Sequence, residues 1–202
     1  GRVGGAAPIT GDEIRAQIIG PRLESIARRT GHPTGLHPFQ ERVAQVGPRG
    51  LLLAACGTGK TLAAWRWAET QAREREIGKV VFLYPTRGTA TEGFRDYVSW
   101  APETSSALLH GTAAYELERM SENPPEGRSG REGGVTEAER RLFALGFWPR
   151  RYFSATVDQF LSFLEHRYES LCMLPALADA AVIIDEVHSF DRRMFDSLVC
   201  FL

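Results

Sequence analysis

A short glycine-rich run limits the possible folds of this 202-residue chain more than any other segment does. An apolar stretch, Gly50 to Ala55, precedes it and reads as a short buried strand. The run itself continues as Cys56-Gly57-Thr58-Gly59-Lys60-Thr61, and a helical pattern extends from Lys60 to about residue 75. Glycines let a backbone fold closely around a phosphate, so that successive N–H groups converge on its oxygens. The sequence therefore predicts a phosphate loop between a strand and a helix.

The side chains of this loop have distinct predicted roles. Lys60 would reach the β- and γ-phosphates of a nucleotide, and the Thr61 hydroxyl would ligate Mg²⁺. The chain has only two lysines, so a lysine at this position is informative. The usual pattern begins with Gly, where this chain has Ala. The phosphate-binding backbone would come from Ala54, Ala55, Cys56, Gly57, Thr58 and Gly59. A glycine-rich turn that binds no nucleotide is the alternative.

A second motif lies where the apolar run Ala180 to Ile184 ends in two carboxylates, Asp185 and Glu186. In phosphate-loop ATPases such an Asp holds Mg²⁺ and the following Glu polarises the attacking water. Because side chains alternate along a strand, the two carboxylates are expected to face different partners. His188 lies just beyond, where it would couple the nucleotide to a partner lobe. A helix cap or a solvated turn is the alternative for the acidic pair.

The remaining pattern predicts an α/β domain with a mostly parallel sheet and helices on both faces, because buried strands alternate with helices. Residues 1–10 are expected to be loose and 12–29 to form an amphipathic helix. Strands are predicted at 79–84, 107–110, 151–155 and 180–184. Further helices are predicted at 39–46, 89–100, 113–120, 136–145, 157–168 and from 191, with a surface loop at 121–135. The domain division is an N-terminal extension at 1–35 and the nucleotide-binding domain at 36–202.

Composition excludes several classes of protein. The net charge of −1 predicts no strong non-specific attraction to nucleic acid. The 3 cysteines have no metal-like spacing and fit a reducing compartment. No apolar run approaches the roughly 20 residues that span a bilayer, and no signal-peptide pattern is present. We therefore expect a cytoplasmic protein with no membrane contact. The chain starts without Met and stops within an apolar helical pattern, so it is expected to be a fragment.

Together these motifs resemble the first motor lobe of superfamily 2 DExH helicases, a RecA-like phosphate-loop domain that binds ATP and Mg²⁺. The acidic box reads DEVH. In such helicases a Gln upstream of the first strand reads the adenine edge, and the resemblance gives this role to Gln40. The stretch Tyr84-Pro85-Thr86-Arg87 is similar to the motif whose Thr and Arg contact the phosphates of the DNA strand. A surface position for Gln40 and a solvated loop position for Arg87 are the alternatives.

Two further blocks resemble the CRISPR-associated helicase–nuclease of type I systems. They read Ala155-Thr156-Val157-Asp158-Gln159 and Asp185-Glu186-Val187-His188-Ser189-Phe190-Asp191. The segment PTRGTATEGF is similar to that family as well, and the resemblance extends over about residues 36–191. It implies a 3′-to-5′ motor on single-stranded DNA, recruited by a CRISPR surveillance (Cascade-type) complex. It also implies a second RecA-like lobe and an HD nuclease in the parent chain. In this interpretation Thr156, Asp158 and Gln159 belong to the nucleic-acid path.

The sequence departs from this family in three ways. Ser154-Ala155-Thr156 spells the third helicase motif but precedes the acidic box, so it is not assigned to that motif. None of the 5 His is followed by Asp, so the nuclease is not expected here, and neither is the second lobe with its arginine finger. The isolated chain is therefore expected to bind nucleotide weakly and to hydrolyse it negligibly. Alternatives are another superfamily 2 translocase, such as a restriction-system motor, and a phosphate-loop kinase or nucleotide-binding module.

Overall fold

The computed structural model describes residues 7–55, 57–85, 151–157 and 177–201. Three strands form a parallel sheet in the order β2-β1-β3, with β1 at Lys79–Tyr84, β2 at Tyr152–Thr156 and β3 at Ala180–Ile184. All six residues of β1 are buried, because this strand has a neighbour on each side and helices above and below. The predicted strands at 79–84 and 180–184 are confirmed, and the one at 151–155 begins and ends one residue later.

Five α-helices and several shorter helical turns surround this sheet in the described residues. The helices are α1 at Gly11–Ile14, α2 at Gly20–Thr30, α3 at Pro38–Arg42, α4 at Lys60–Glu74 and α5 at Arg192–Phe201. A π-helical turn, Arg15–Ile19, joins α1 to α2, and 3₁₀ turns lie at Val43–Gln45 and Val187–Ser189. These elements confirm the helices predicted at 12–29, 39–46, from 60 and from 191.

The π-helical turn has a cause in the sequence. Pro21 has no N–H group, and its ring clashes with the carbonyl four residues earlier in a regular helix. Gly20 N–H instead donates to the Arg15 carbonyl, five residues back. The wider turn lets the chain continue as a helix past the proline until Gly31, which takes a left-handed conformation with φ 74° and ends it.

The core lies in two layers, one on each face of the sheet. On one face, Val80, Phe82 and Tyr84 of β1 pack with α4 and with the N-terminal helices. Trp65 of α4 is fully buried there, with its ring centroid 5.1 Å from that of Phe82. On the other face, Val81 and Leu83 pack with Leu198 of α5. The alternation along β1 therefore places helices on both faces, which confirms the predicted α/β class.

The N-terminal residues belong to the first of these layers. Ile9, in the stretch expected to be loose, is buried and pairs with Ile77 in an isolated antiparallel bridge. Glu13 receives two hydrogen bonds from the Arg151 guanidinium, at 2.6 and 2.7 Å, at the point where β2 begins. The buried Ile9 and this bidentate ion pair hold the N-terminal segment against the sheet. The prediction that residues 1–10 are loose is therefore wrong at Ile9.

The predicted strand at 50–55 is wrong for this structure. Residues 51–55 lie outside the described sheet, and Leu51 and Leu53 are 79% and 84% exposed. A strand needs a neighbour that accepts and donates its backbone hydrogen bonds. The apolar run identifies a segment suited to burial, but it does not specify that neighbour. The predictions at 89–100, 107–110, 113–120, 121–135 and 136–145, and nearly all of 157–168, lie outside the described residues.

Candidate nucleotide-binding site

The carboxyl ends of the three strands meet at one edge of the sheet. The register pairs Tyr84 of β1 with Thr156 of β2, and Leu83 with Ile184 of β3. Asp185 follows β3 immediately, and its N–H continues the ladder by donating to the Leu83 carbonyl at 2.9 Å. In open α/β sheets, ligands bind outside the carboxyl ends of the strands. The acidic pair therefore occupies the edge where this architecture binds ligands.

The described part of the glycine-rich loop has the backbone that a phosphate loop needs. Gly57 and Gly59 have φ values of 78° and 89°, in the left-handed region that glycine adopts without strain. Thr58 Oγ1 donates to the Ala55 carbonyl at 2.8 Å and closes the loop. The loop ends directly on α4, so the unpaired N–H groups of the first helical turn point out of the same end. Cys56 lies outside the described residues.

The two predicted motifs come together in space. Lys60 Nζ lies 3.9 Å from Glu186 Oε1, and both side chains are partly exposed, at 26% and 32%. The first residue of α4 and the residue after Asp185 thus form an ion pair across the mouth of the site. Solvent screens an ion pair of this exposure, so an incoming anion has access to Lys60.

The acidic pair differs from its predicted form in one respect. Glu186 has φ 54° and ψ 35°, and among the described residues it alone has a positive φ without being glycine. Its N–H donates to Asp185 Oδ1 at 2.8 Å. Glu186 therefore lies outside the strand conformation, so the alternation of side chains along a strand does not apply to the pair. Non-glycine residues in this region are strained and cluster at functional sites.

His188 lies next to Glu186. Its Nδ1 is 3.3 Å from Glu186 Oε2, and its side chain is 78% exposed. The imidazole is therefore accessible to a group outside the described part of the chain while it stays in contact with the acidic pair. Glu186 thus lies between Lys60 on one side and His188 on the other.

Gln40 lies against the phosphate loop, but its amide is directed into the protein. The side chain is buried, with 1% exposure. Its Nε2 donates to the Gly59 carbonyl at 2.9 Å, and its Oε1 accepts from the His37 N–H at 2.7 Å. An adenine ring would meet neither group in this arrangement.

The residues present fit a magnesium ion held partly by nucleotide. Asp185 supplies a carboxylate and Thr61 a hydroxyl, both oxygen donors that Mg²⁺ prefers. Within residues 7–55, 57–85, 151–157 and 177–201, no group of three or more His, Cys, Asp or Glu forms a metal site. Mg²⁺ in protein sites commonly keeps one or two carboxylates, waters and phosphate oxygens. These oxygen donors are therefore of the kind that would suit an ion bound mainly by nucleotide and water.

The structure describes one residue of the predicted nucleic-acid path. Thr156 ends β2 and is buried, with 4% exposure. Thr86, Arg87, Asp158 and Gln159 lie outside the described residues.

The sequence reasoning missed a buried carboxylate on α4, Glu69. It is 1% exposed and contacts three guanidinium groups at 2.9 to 3.1 Å, those of Arg15, Arg66 and Arg73. Arg66 also pairs with Glu41 of α3 at 3.1 Å. The spacing of Arg66, Glu69 and Arg73 along one helix face was a usable signal. Arg15 and Glu41 reach this cluster only through the tertiary fold, and no local sequence pattern predicts their contacts.

The fold defines a RecA-like α/β domain, in which a glycine-rich loop precedes a helix and two carboxylates follow a neighbouring strand. A protein of Myxococcus xanthus, provisionally named CRISPR-associated nuclease/helicase Cas3, is 35% identical over 98% of this chain. A protein of Methanocaldococcus jannaschii with the same provisional name is 23% identical over 74% of the chain. The chain is therefore homologous to a segment of the Cas3 nuclease/helicases.

The matched segments cover 27% and 20% of those two relatives, so the chain corresponds to about a fifth to a quarter of their length. No family model matches the chain, and no solved structure matches it. Within the described residues, every helix is too short or too polar to cross a lipid bilayer.

Proposed function

We propose that the chain is the ATP-binding motor lobe of an ATP-dependent 3′-to-5′ DNA helicase that acts on single-stranded DNA in type I CRISPR defence. The observation that carries this proposal is the 3.9 Å approach of Lys60 Nζ to Glu186 Oε1. It joins two motifs that are remote in sequence at the ligand-binding edge of a parallel sheet. The nuclease/helicase names of the two relatives support the same class of activity.

In this proposal the loop and the first turn of α4 bind the triphosphate. The N–H groups beside Gly57 and Gly59 face the phosphate oxygens, and the positive end of the helix favours the negative charge. Lys60 exchanges its contact with Glu186 for the β- and γ-phosphates. Because the ion pair is partly exposed, its loss is small beside charge-assisted hydrogen bonds to phosphate.

Asp185 and Thr61 would hold Mg²⁺ on the bound triphosphate. When bound, the ion neutralises charge that develops on the β- and γ-phosphate oxygens. Glu186 would orient and polarise the attacking water. Hydrogen bonding between the Glu186 N–H and Asp185 Oδ1 fixes the pair relative to each other.

His188 would transmit the state of the nucleotide to a second RecA-like lobe. The His188 side chain is exposed, and it contacts Glu186, which in this proposal polarises the attacking water. The second lobe, with an arginine finger worth about 10³–10⁵ in rate, belongs to the longer parent chain in this proposal. The parent also carries the HD nuclease and binds the CRISPR surveillance complex. Single-stranded DNA passes over Thr86, Arg87, Asp158 and Gln159, whereas Thr156 is buried at the end of β2 and offers the strand almost no exposed surface.

The test is ATP hydrolysis by the full-length protein, with and without single-stranded DNA. Wild type is compared with Lys60→Ala and with Glu186→Gln. Glu74→Gln, at the exposed end of α4, is the matched control because it makes the same change of side chain away from the site. We expect DNA to stimulate wild type and the control equally. Glu186→Gln should lower kcat by about 10²–10⁴, the range for loss of a general base.

Two results would contradict this function. One is turnover that does not respond to single-stranded DNA in wild type. The other is turnover that survives both Lys60→Ala and Glu186→Gln, since the phosphate loop and the acidic pair would then serve another purpose.

A further inference from the structure

The geometry points to Gln40 as a positioning residue that braces the phosphate loop, with an effect on triphosphate binding that does not depend on the base. This inference rests on the proposed function, because it concerns the same nucleotide site. It departs from the role in adenine recognition that the resemblance to DExH helicases implies for this residue.

The Gln40 amide is held in one orientation by two hydrogen bonds. Its Oε1 faces an N–H donor, that of His37, and its Nε2 faces a carbonyl acceptor, that of Gly59. Exchanging the two amide groups would place donor against donor and acceptor against acceptor, so only one orientation satisfies both partners. Because the side chain is also 1% exposed, base recognition would require both bonds to break.

Gly59 forms the junction between the glycine-rich loop and α4. It is the residue before α4 and holds φ 89°, a conformation that ends the loop and starts the helix. A Cβ at this position would lie 2.6 Å from Gln40 Nε2, so the glycine also permits the close approach of the amide. Gln40 therefore fixes the carbonyl at the junction between the phosphate-binding loop and the helix that carries Lys60.

A second contact holds α3 to α4. Glu41 Oε2 pairs with Arg66 Nε at 3.1 Å, and Arg66 in turn contacts the buried carboxylate of Glu69 at 3.1 Å. Gln40 and Glu41 thus connect one short helix to the start and to the middle of α4. The Oε1 bond of Gln40 additionally closes the N-terminus of α3 in a capping box with His37. These contacts make α3 a brace across the first turns of α4.

The test measures binding of three Mg²⁺ complexes to the full-length protein: ATP, GTP and inorganic tripolyphosphate. The variant is Gln40→Met, which keeps the length of the side chain and adds no charge but removes both the donor to Gly59 and the acceptor for the His37 N–H. Gln45→Met is the matched control, because Gln45 is exposed on the 3₁₀ turn that follows α3. Hydrogen exchange of the Ala63 amide, which donates to the same Gly59 carbonyl at 3.3 Å, is measured without ligand and reports whether the loop junction is released.

We expect Gln40→Met to weaken binding of all three ligands by the same factor, about three- to tenfold for one hydrogen bond. The ratio of ATP to GTP affinity should stay at its wild-type value, and exchange of the Ala63 amide should accelerate. Gln45→Met should change neither quantity. If Gln40→Met does not fold, Glu41→Gln takes its place, with the same uniform loss expected at about twofold.

Two results would overturn the brace. Loss of ATP affinity with unchanged tripolyphosphate affinity would make Gln40 a reader of the base. Unchanged binding of all three ligands by a folded variant would remove it from the site altogether. If the wild-type protein binds none of the three ligands, the proposed function itself is wrong, which is a separate outcome from failure of the brace.

Discussion

Substitution of the buried carboxylate of Glu69 tests how the helical layer is held together. Glu69 is 1% exposed, and its two oxygens contact Arg15, Arg66 and Arg73 at 2.9 to 3.1 Å. Breaking a buried ion pair by removing one partner commonly destabilises a protein by about 3–5 kcal/mol. Here two of the three arginines stay more than a third exposed, so water takes over part of their solvation. We therefore expect Glu69→Gln to destabilise this layer by about 2–3 kcal/mol.

The assay is hydrogen exchange of α4 amides in the full-length protein, which reports local opening in a chain of several domains. A loss of 2–3 kcal/mol corresponds to exchange that is about 30- to 150-fold faster. The effect should persist in 1 M salt, where screening has a range of about 3 Å, because the contacts are direct and the carboxylate is buried.

Asp196→Asn on α5 is the control for this measurement. Its pair with Arg192 has an N–O distance of 3.9 Å, and the two side chains are 69% and 96% exposed. Exposed pairs of this kind contribute about 0.2–1 kcal/mol or less, so exchange should change less than about fivefold. The reasoning fails if Glu69→Gln changes α4 exchange by no more than the control changes α5 exchange.

Three other substitutions follow from the same structure. Burial lowers the pKa of Lys79 to about 8, with Asp179 opposing the shift. Between pH 8 and 10.5 the unfolded chain therefore binds more protons, so stability should rise with pH, and Lys79→Met should abolish this rise in denaturation measured across that window. Trp65→Ala removes a fully buried indole and should lower the midpoint of denaturant unfolding, by a loss of about 3–5 kcal/mol. Thr10→Ala removes the N-cap acceptor for the Glu13 N–H, 3.1 Å away. The helix should lose about 1 kcal/mol of stability, so hydrogen exchange in α1 should accelerate. The packing described would be contradicted if Lys79→Met left the rise of stability with pH in place. It would also be contradicted if Trp65→Ala left the unfolding midpoint unchanged, or if Thr10→Ala left exchange in α1 unchanged.

The strands and helices that were predicted correctly are those whose signal is local. Lys79–Tyr84 and Ala180–Ile184 are continuous apolar runs between polar ends, and such runs suit a strand buried on both faces. The helix at Lys60–Glu74 starts after a glycine and carries its apolar residues on one face. In each case the residues themselves specify the element.

The failures involve contacts between segments remote in sequence. The run at 51–55 is as apolar as the correctly predicted strands, but it has no place in the described sheet. Burial of Ile9 depends on its partner Ile77, which no local pattern specifies. Glu186 takes a left-handed backbone conformation, and a glutamate in the sequence gives no sign of that conformation.

The sequence predicts which residues form the candidate site, and the structure brings three of them together. Lys60 and His188 both contact Glu186, while the binding of nucleotide by these residues stays a prediction. Gln40 lies at the loop, but its hydrogen-bond partners could not be read from the sequence, because a glutamine has both donor and acceptor groups and its orientation depends on what surrounds it.

The most direct test of the account is the position of ATP bound to the full-length protein. Glu186→Gln would slow hydrolysis, so that a structure with ATP and Mg²⁺ traps the intact triphosphate. We predict the β- and γ-phosphates at the loop, with Lys60 Nζ about 3 Å from their oxygens and Mg²⁺ beside Asp185 and Thr61. ATP bound away from this edge of the sheet, with Lys60 in contact with none of its phosphates, would contradict the account.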